Sequence, residues 1–324
     1  MVWLLLVLFA DQFYTSFKAG LIALNENNLQ VAESQLEAAS QLHPQDSRVW
    51  LALAQTYFKL HKLPAAEAAA GKAEALATDS VVIRGLAVYY SGASNSAKAE
   101  ELLRKAILRK PFEENYYFDL AQLFLKEQNF AAALKTLDAG RKNFDKSAQL
   151  ELAAGVAYYG LRRFPEAIDA FLRTIQLDPA VEQPYVFLGR VVDQAEERLP
   201  RITQVFAAFA NGAPGNYMGN FLYGKSLLAG SDLSQAEALL RKSIAQNDAF
   251  WESHFELGVL LEQQGKFEEA AREVRRSVDL NPDDPAPHYR LARLYDRLGK
   301  TAEARAERAV HAKLSATAPG MGIK

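Results

Sequence analysis

Residues 155–179 read GVAYYGLRRFPEAIDAFLRTIQLDP, and residues 258–282 read GVLLEQQGKFEEAAREVRRSVDLNP. Both open on glycine and close on proline. In each, an aromatic residue (Phe164, Phe267) is followed within three residues by Glu-Ala. Two stretches about a hundred residues apart that share one frame imply a unit repeated along the chain.

With the opening glycine set at position 8, units start at 13, 47, 80, 114, 148, 182, 217, 251 and 285, a spacing of 33 to 35 residues. Position 8 is always small: Gly20, Ala54, Ala87, Ala121, Gly155, Gly189, Gly224, Gly258 and Ala292. Position 20 is alanine in every unit but the sixth: Ala32, Ala66, Ala99, Ala133, Ala167, Ala236, Ala270 and Ala304. Pro44, Pro111, Pro179 and Pro282 stand at position 32, and Pro214 comes one residue late. Two antiparallel helices approach closely only where neither presents bulk, so small residues at 8 and 20 mark a helix hairpin. Large apolar residues at helical intervals fill the space between, as Leu53, Leu86, Leu120, Leu188, Leu257 and Leu291 do at position 7. Proline at 32 ends the second helix, lacking an N–H and disfavouring helix in the residue before it.

This pattern resembles the tetratricopeptide repeat, whose small residue at 8, alanine at 20 and proline at 32 are those just quoted. Trp50 adds the aromatic residue expected at position 4. The resemblance covers about 13 to 315. It implies an all-α, right-handed superhelical solenoid of antiparallel helix hairpins, with first helices lining a concave face. The expected organisation is an apolar segment at 1–12, units one to five at 13–181, a degenerate sixth unit at 182–216, units seven to nine at 217–315, and a flexible tail at 316–324. Each hairpin buries its apolar face only against its neighbours.

The sixth unit lacks the small residue at position 20 and carries Glu196-Glu197-Arg198-Leu199-Pro200 in its inter-helix turn. Pro200 suits the first turn of a second helix. The unit ends in Asn211-Gly212-Ala213-Pro214-Gly215-Asn216, dense in helix breakers. It reads as a degenerate repeat with a longer loop, or as a hinge or partner contact. The last unit's second helix is polar and basic, as a solvent-facing cap requires.

Chemistry is sparse. The absence of cysteine removes disulfides, thiolate metal sites and cysteine nucleophiles together. The glycines sit at packing and turn positions, and no phosphate loop, nucleophile elbow or paired-histidine zinc motif occurs. His254 and His288 share position 4 of adjacent units, where packing inside the hairpin is expected rather than metal ligation. No enzyme activity, cofactor or metal is expected. A net charge of -2 gives no general attraction to nucleic acid. The run MVWLLLVLFA is too short to span a bilayer. It has the length of a signal-peptide core, with Ala10 as a cleavage residue, or serves as an apolar cap on the first unit. The first reading places the protein outside the cytoplasm, in the periplasm or secreted, and the second inside it.

The resemblance exposes positions 2, 5, 9 and 12 on the concave face. Position 5 reads Phe17, Leu51, Arg84, Phe118, Leu152, Val186, Phe221, Phe255 and Tyr289; position 12 adds Phe58, Leu125, Tyr159 and Leu228. Aromatic anchors in a groove suit peptide recognition, although position 5 also packs on the next repeat. Repeats of this family that clamp C-terminal carboxylates carry lysine at position 5 and asparagine at position 9 of the first unit. Phe17 and Leu21 stand there instead, which counts against that use. The expected function is a non-catalytic scaffold for a protein or peptide. Partner side chains would bury against Phe118, Leu152, Tyr159, Phe221, Phe255 and Tyr289, with Gln122, Arg190, Lys225 and Arg293 orienting them. A subunit that positions a separate enzyme, and a structural homo-oligomer, are the alternatives.

Overall fold

The computed structural model describes residues 2–317, with side chains from 12 to 316. Over these residues it is all helix: eighteen α-helices and no strand. Contacts group them into two units, Met1–Ala157 and Tyr158–Lys324. The tail at 318–324 lies outside the described residues, as do the side chains of the apolar N-terminal run.

In the first unit the hairpins are α1 (Val2–Asn25) with α2 (Leu29–Leu42), α3 (Ser47–Lys59) with α4 (Leu63–Leu76), α5 (Ser80–Gly92) with α6 (Ser96–Arg109), and α7 (Glu114–Lys126) with α8 (Phe130–Arg141). Next comes α9 (Ala148–Gly160). The second unit holds α10 (Phe164–Leu177), α11 (Gln183–Val191) and α12 (Leu199–Gly212). It continues with α13 (Tyr217–Ala229), α14 (Leu233–Gln246), α15 (Trp251–Gln263), α16 (Phe267–Leu280), α17 (Pro285–Arg297) and α18 (Thr301–Thr317). The backbone of the apolar run is the start of α1, and α18 takes in the first residues of the expected tail.

The small residues do what their spacing demands. A Cβ on Gly20 would meet Leu36 Cγ at 2.6 Å, and one on Gly258 would meet Val274 Cγ2 at 2.4 Å, in both cases on the hairpin's second helix. Ala32, Ala66, Ala99, Ala133, Ala167, Ala236, Ala270 and Ala304 are all buried opposite. The sixth unit differs. A Cβ on Gly189 would strike Leu222 of α13 instead, at 2.4 Å. Two single 3₁₀ turns, at 192–194 and 196–198, separate α11 from α12, and Pro200 lies in the first turn of α12.

Two devices recur at fixed positions. Position 15, between the helices of a hairpin, is left-handed in every unit: Asn27, His61, Ser94, Gln128, Arg162, Glu196, Ser231, Gly265 and Gly299 all have positive φ. Outside the sixth unit, the N–H of position 16 reaches back to the carbonyl of position 11, as Lys62 does to Tyr57 and Arg163 to Tyr158, at 2.8 and 2.9 Å. That bond closes a Schellman turn over the last carbonyls of the first helix. At the other end of the hairpin, in five of the nine units, the side chain at position 4 reaches a carbonyl six residues earlier. Trp50 reaches Pro44, Tyr117 reaches Pro111 and Tyr185 reaches Pro179, at 2.7, 3.0 and 3.2 Å. His254 and His288 face Asp248 and Pro282 in the same way, at 3.2 and 3.0 Å. These carbonyls close the inter-repeat turns, where helix geometry supplies no partner.

Candidate binding face

Positions 5 and 9 stand one turn apart on each first helix, so each pair shares a face. In the first unit, Phe118 is half-buried on α7, Gln122 is exposed one turn on, and Leu152 is half-buried on α9. Leu51 shows why position 5 is only partly open: it fills the space that Gly85 leaves on α5, where a Cβ would approach it to 2.4 Å. Phe17 lies under the Arg48 guanidinium, 5.7 Å from its ring centre. Arg84, the charged member of the series, grips Asp119 of α7 through Nε and Nη2.

Beside Gln122 is a hollow of about 270 Å³ between α5, α6 and α7. Ala87, Ala99, Val88, Leu103 and Leu123 give it apolar walls, and Ser91, Asp119, Gln122 and Lys126 line it with polar groups. Its width follows from the repeat rule, since positions 8 and 20 contribute only the methyl groups of Ala87 and Ala99. Lys126 Nζ donates to the Ser91 carbonyl at 3.3 Å, and Asp119 is occupied by Arg84. Gln122, which the sequence places as an orienting group, borders a hollow that the sequence does not show, because the helices that form it meet only in three dimensions.

In the second unit the candidates divide. Tyr159 is half-buried, edge-on to Phe187 at 5.4 Å and Phe164 at 6.0 Å. Arg190 is exposed, its guanidinium 5.7 Å from the Phe187 ring. Tyr289 is half exposed with Arg293 5.9 Å from its ring, and Arg290 lies 5.6 Å from the half-buried Phe255. Phe221 and Lys225 are different. Phe221 is only 6% exposed because Phe250, in the turn before α15, covers it edge-on at 5.0 Å. It is therefore a packing residue here and not an open anchor. Lys225 is tied to Glu256 of α15 at 2.8 Å, so its charge is already answered within the fold.

Glu252 adds an acidic group that position counting left aside. Burial pushes its carboxyl above the usual range, with Asp284 acting the same way and Lys225 and Arg190 opposing. Its Oε2 is buried without a hydrogen-bond partner. The buried histidines are structural: His254 Nδ1 meets Glu273 at 2.8 Å and His288 Nδ1 meets Glu307 at 2.6 Å. Among the described residues no group of histidines and carboxylates could hold a metal ion, and no helix is long and apolar enough to cross a membrane.

The tetratricopeptide-repeat family model matches residues 17–80, 84–148, 118–182, 221–285 and 255–319. The longest stretch outside the matches, 183–220, is essentially the sixth unit. No curated protein matches the chain. Among solved structures it is similar to the C-terminal part of a repeat-containing protein from Cytophaga hutchinsonii. The two are 13% identical, with a TM-score of 0.54, over 84% of this chain and 97% of that one. It is also similar to the APC/C hetero-tetramer Cut9–Hcn1, 14% identical with a TM-score of 0.50 over 90% of this chain and 57% of that one. At these identities the likeness concerns the fold alone.

Proposed function

This chain belongs to the tetratricopeptide-repeat family, and we propose that it is a non-catalytic scaffold that binds an extended peptide segment of a protein partner along positions 5 and 9 of its first helices. The observation that carries this reading is the hollow beside Gln122. Its apolar walls suit one aliphatic side chain. The Gln122 amide offers a donor and an acceptor together, the pattern that a peptide group answers. Asp119 is held by Arg84, so the hollow does not demand a cation from its occupant. In the second unit, Tyr289 with Arg293 and Phe255 with Arg290 supply aromatic surface and guanidinium groups for further partner side chains.

The test uses an array of random peptides to find binders, followed by Gln122→Ala and Val88→Glu in the full chain. Both side chains are exposed, so neither change should disturb folding. Losing the amide contact is expected to weaken the best peptides about tenfold. A carboxylate at the mouth should abolish those that carry an aliphatic residue in register. Unchanged binding by both variants would sink the reading.

A further inference from the structure

The large apolar side chains that stand furthest out of the described surface are Leu108, Phe112, Val81 and Tyr14, at 83%, 76%, 71% and 64% exposure. All four lie at one end of the first unit, the end that carries the turns between repeats. Tyr14 and Val81 stand in the first turns of their repeats, on α1 and α5. Leu108 is in the last turn of α6, and Phe112 is in the loop that leads to α7. Contacts join these turns. Phe13 packs on His43 with ring centres 4.2 Å apart, Lys110 Nζ reaches Ser80 Oγ at 3.3 Å, and Asn143 Nδ2 donates to the Pro111 carbonyl at 3.2 Å. Tyr14 touches Phe13 edge-on at 5.5 Å, yet all four side chains keep most of their surface open.

The same end is the one from which α1 emerges. Phe13 is level with the turn at His43, yet α1 begins at Val2. Eleven further residues of helix therefore extend past the turns, a length of about 16 Å at 1.5 Å per residue. Nine of them, VWLLLVLFA from Val2 to Ala10, hold no charge and cover about 14 Å, before Asp11 and Gln12. That length cannot span the roughly 30 Å hydrocarbon core, but it matches about one leaflet.

We propose that this end of the first unit is a membrane-docking face: the apolar run is retained and enters one leaflet end-on, and Leu108, Phe112, Val81 and Tyr14 seat in the interface around it. The charges nearby distinguish lipid from an acidic macromolecule. Arg109, Lys110, Lys142 and Lys146 are nearly offset by Asp79, Glu113 and Asp145, all exposed. Such a face attracts polyanions weakly, so apolar insertion carries the binding, with the lysines and arginines able to reach head groups.

The experiment is vesicle flotation of the full chain, its N-terminus checked by intact mass, on phosphatidylcholine vesicles with and without phosphatidylglycerol. The intact chain should float on both, with affinities within a few-fold of each other and little changed by salt. Leu108→Ser/Phe112→Ser should lower the partition coefficient about tenfold, with the circular dichroism of the parent. Gln122→Ala should float like the parent, which separates this proposal from peptide binding. The proposal is overturned by an intact mass that lacks the apolar run, by no flotation of the intact chain, or by a double variant that floats like the parent. Binding confined to anionic vesicles and lost in salt overturns it too, as does a photo-crosslinker at Phe112 that captures a protein in place of lipid.

Discussion

His288 and Glu307 form a buried pair, Nδ1 to Oε2 at 2.6 Å, that ties α17 to α18. The other carboxylate oxygen of Glu307 accepts from Arg275 of α16 at 2.5 Å. The last hairpin is thus fastened to the one before it by a carboxylate that is 7% exposed. Removing the carboxylate leaves the His288 ring and the Arg275 guanidinium without the group that both engage. Glu307→Gln is expected to destabilise the C-terminal end by about 3 kcal/mol. Hydrogen exchange should show α17 and α18 opening first, because repeats unravel from their ends. Arg308→Gln removes only an exposed pair with Asp296 and should change stability by less than about 1 kcal/mol.

Seven of the nine left-handed turn residues are not glycine. An L-residue there costs about 1–2 kcal/mol, and glycine returns part of that through its greater freedom in the unfolded chain. Ser94→Gly, Gln128→Gly, Arg162→Gly and Ser231→Gly should each raise stability by about 0.5 kcal/mol. Asn27→Gly should gain least, since asparagine tolerates this conformation. Urea midpoints of the single and combined variants measure the effect. A fall in midpoint would mean that these side chains make contacts worth more than the strain.

Two glycines on helices should respond in opposite directions. Gly258→Ala pushes a methyl group to 2.4 Å from Val274 Cγ2 and 3.2 Å from the Ala270 carbonyl, which cannot move aside. It should cost about 1–3 kcal/mol. Gly71, on α4, has nothing within 4 Å of an added Cβ. Gly71→Ala should therefore stabilise by about 1 kcal/mol, from helix propensity alone. Thermal melts of the two variants against the parent decide it.

Glu252 makes stability depend on pH in a particular sense. Its folded pKa is raised above the ordinary 4.5, chiefly by burial, so the folded state binds the proton more tightly than the unfolded state. The stability it allows is complete below the ordinary value and falls as pH rises through the raised one. Glu252→Gln stays neutral throughout. It should match the parent below pH 4.5 and exceed it at neutral pH, the difference growing through that interval. Urea midpoints at pH 4 and pH 7 supply the comparison. A variant less stable than the parent at pH 7 would mean that the backbone hydrogen bond, Lys225 and Arg190 together outweigh the desolvation.

Much of the architecture was legible because steric exclusion leaves a mark on composition. A close helix crossing admits only glycine or alanine, so position 8 and position 20 repeat whatever surrounds them. The devices at positions 15 and 4 were harder to read. Position 15 requires a backbone conformation that asparagine, histidine, serine, glutamine and arginine all adopt here. Position 4 supplies this contact in five units through tryptophan, tyrosine or histidine, which share little else, while Ile83 and Glu151 stand there in two others. The candidate face was legible in register but not in exposure. Phe221 and Tyr289 occupy the same position, yet Phe250 closes over one, while the ring of the other is half open beside Arg293.

Taken alone, the sequence determined the period, the helix hairpins, the small residues between them and the family, because each depends on contacts inside one repeat or between adjacent ones. Only the tertiary structure decided which side chains a partner or a surface can reach. Exposure is a property of everything that packs around a residue: the hollow at Gln122 needs three helices, the silence of Lys225 needs Glu256, and Leu108 and Phe112 stand out because the contacts at their turn hold its backbone and leave these two side chains uncovered.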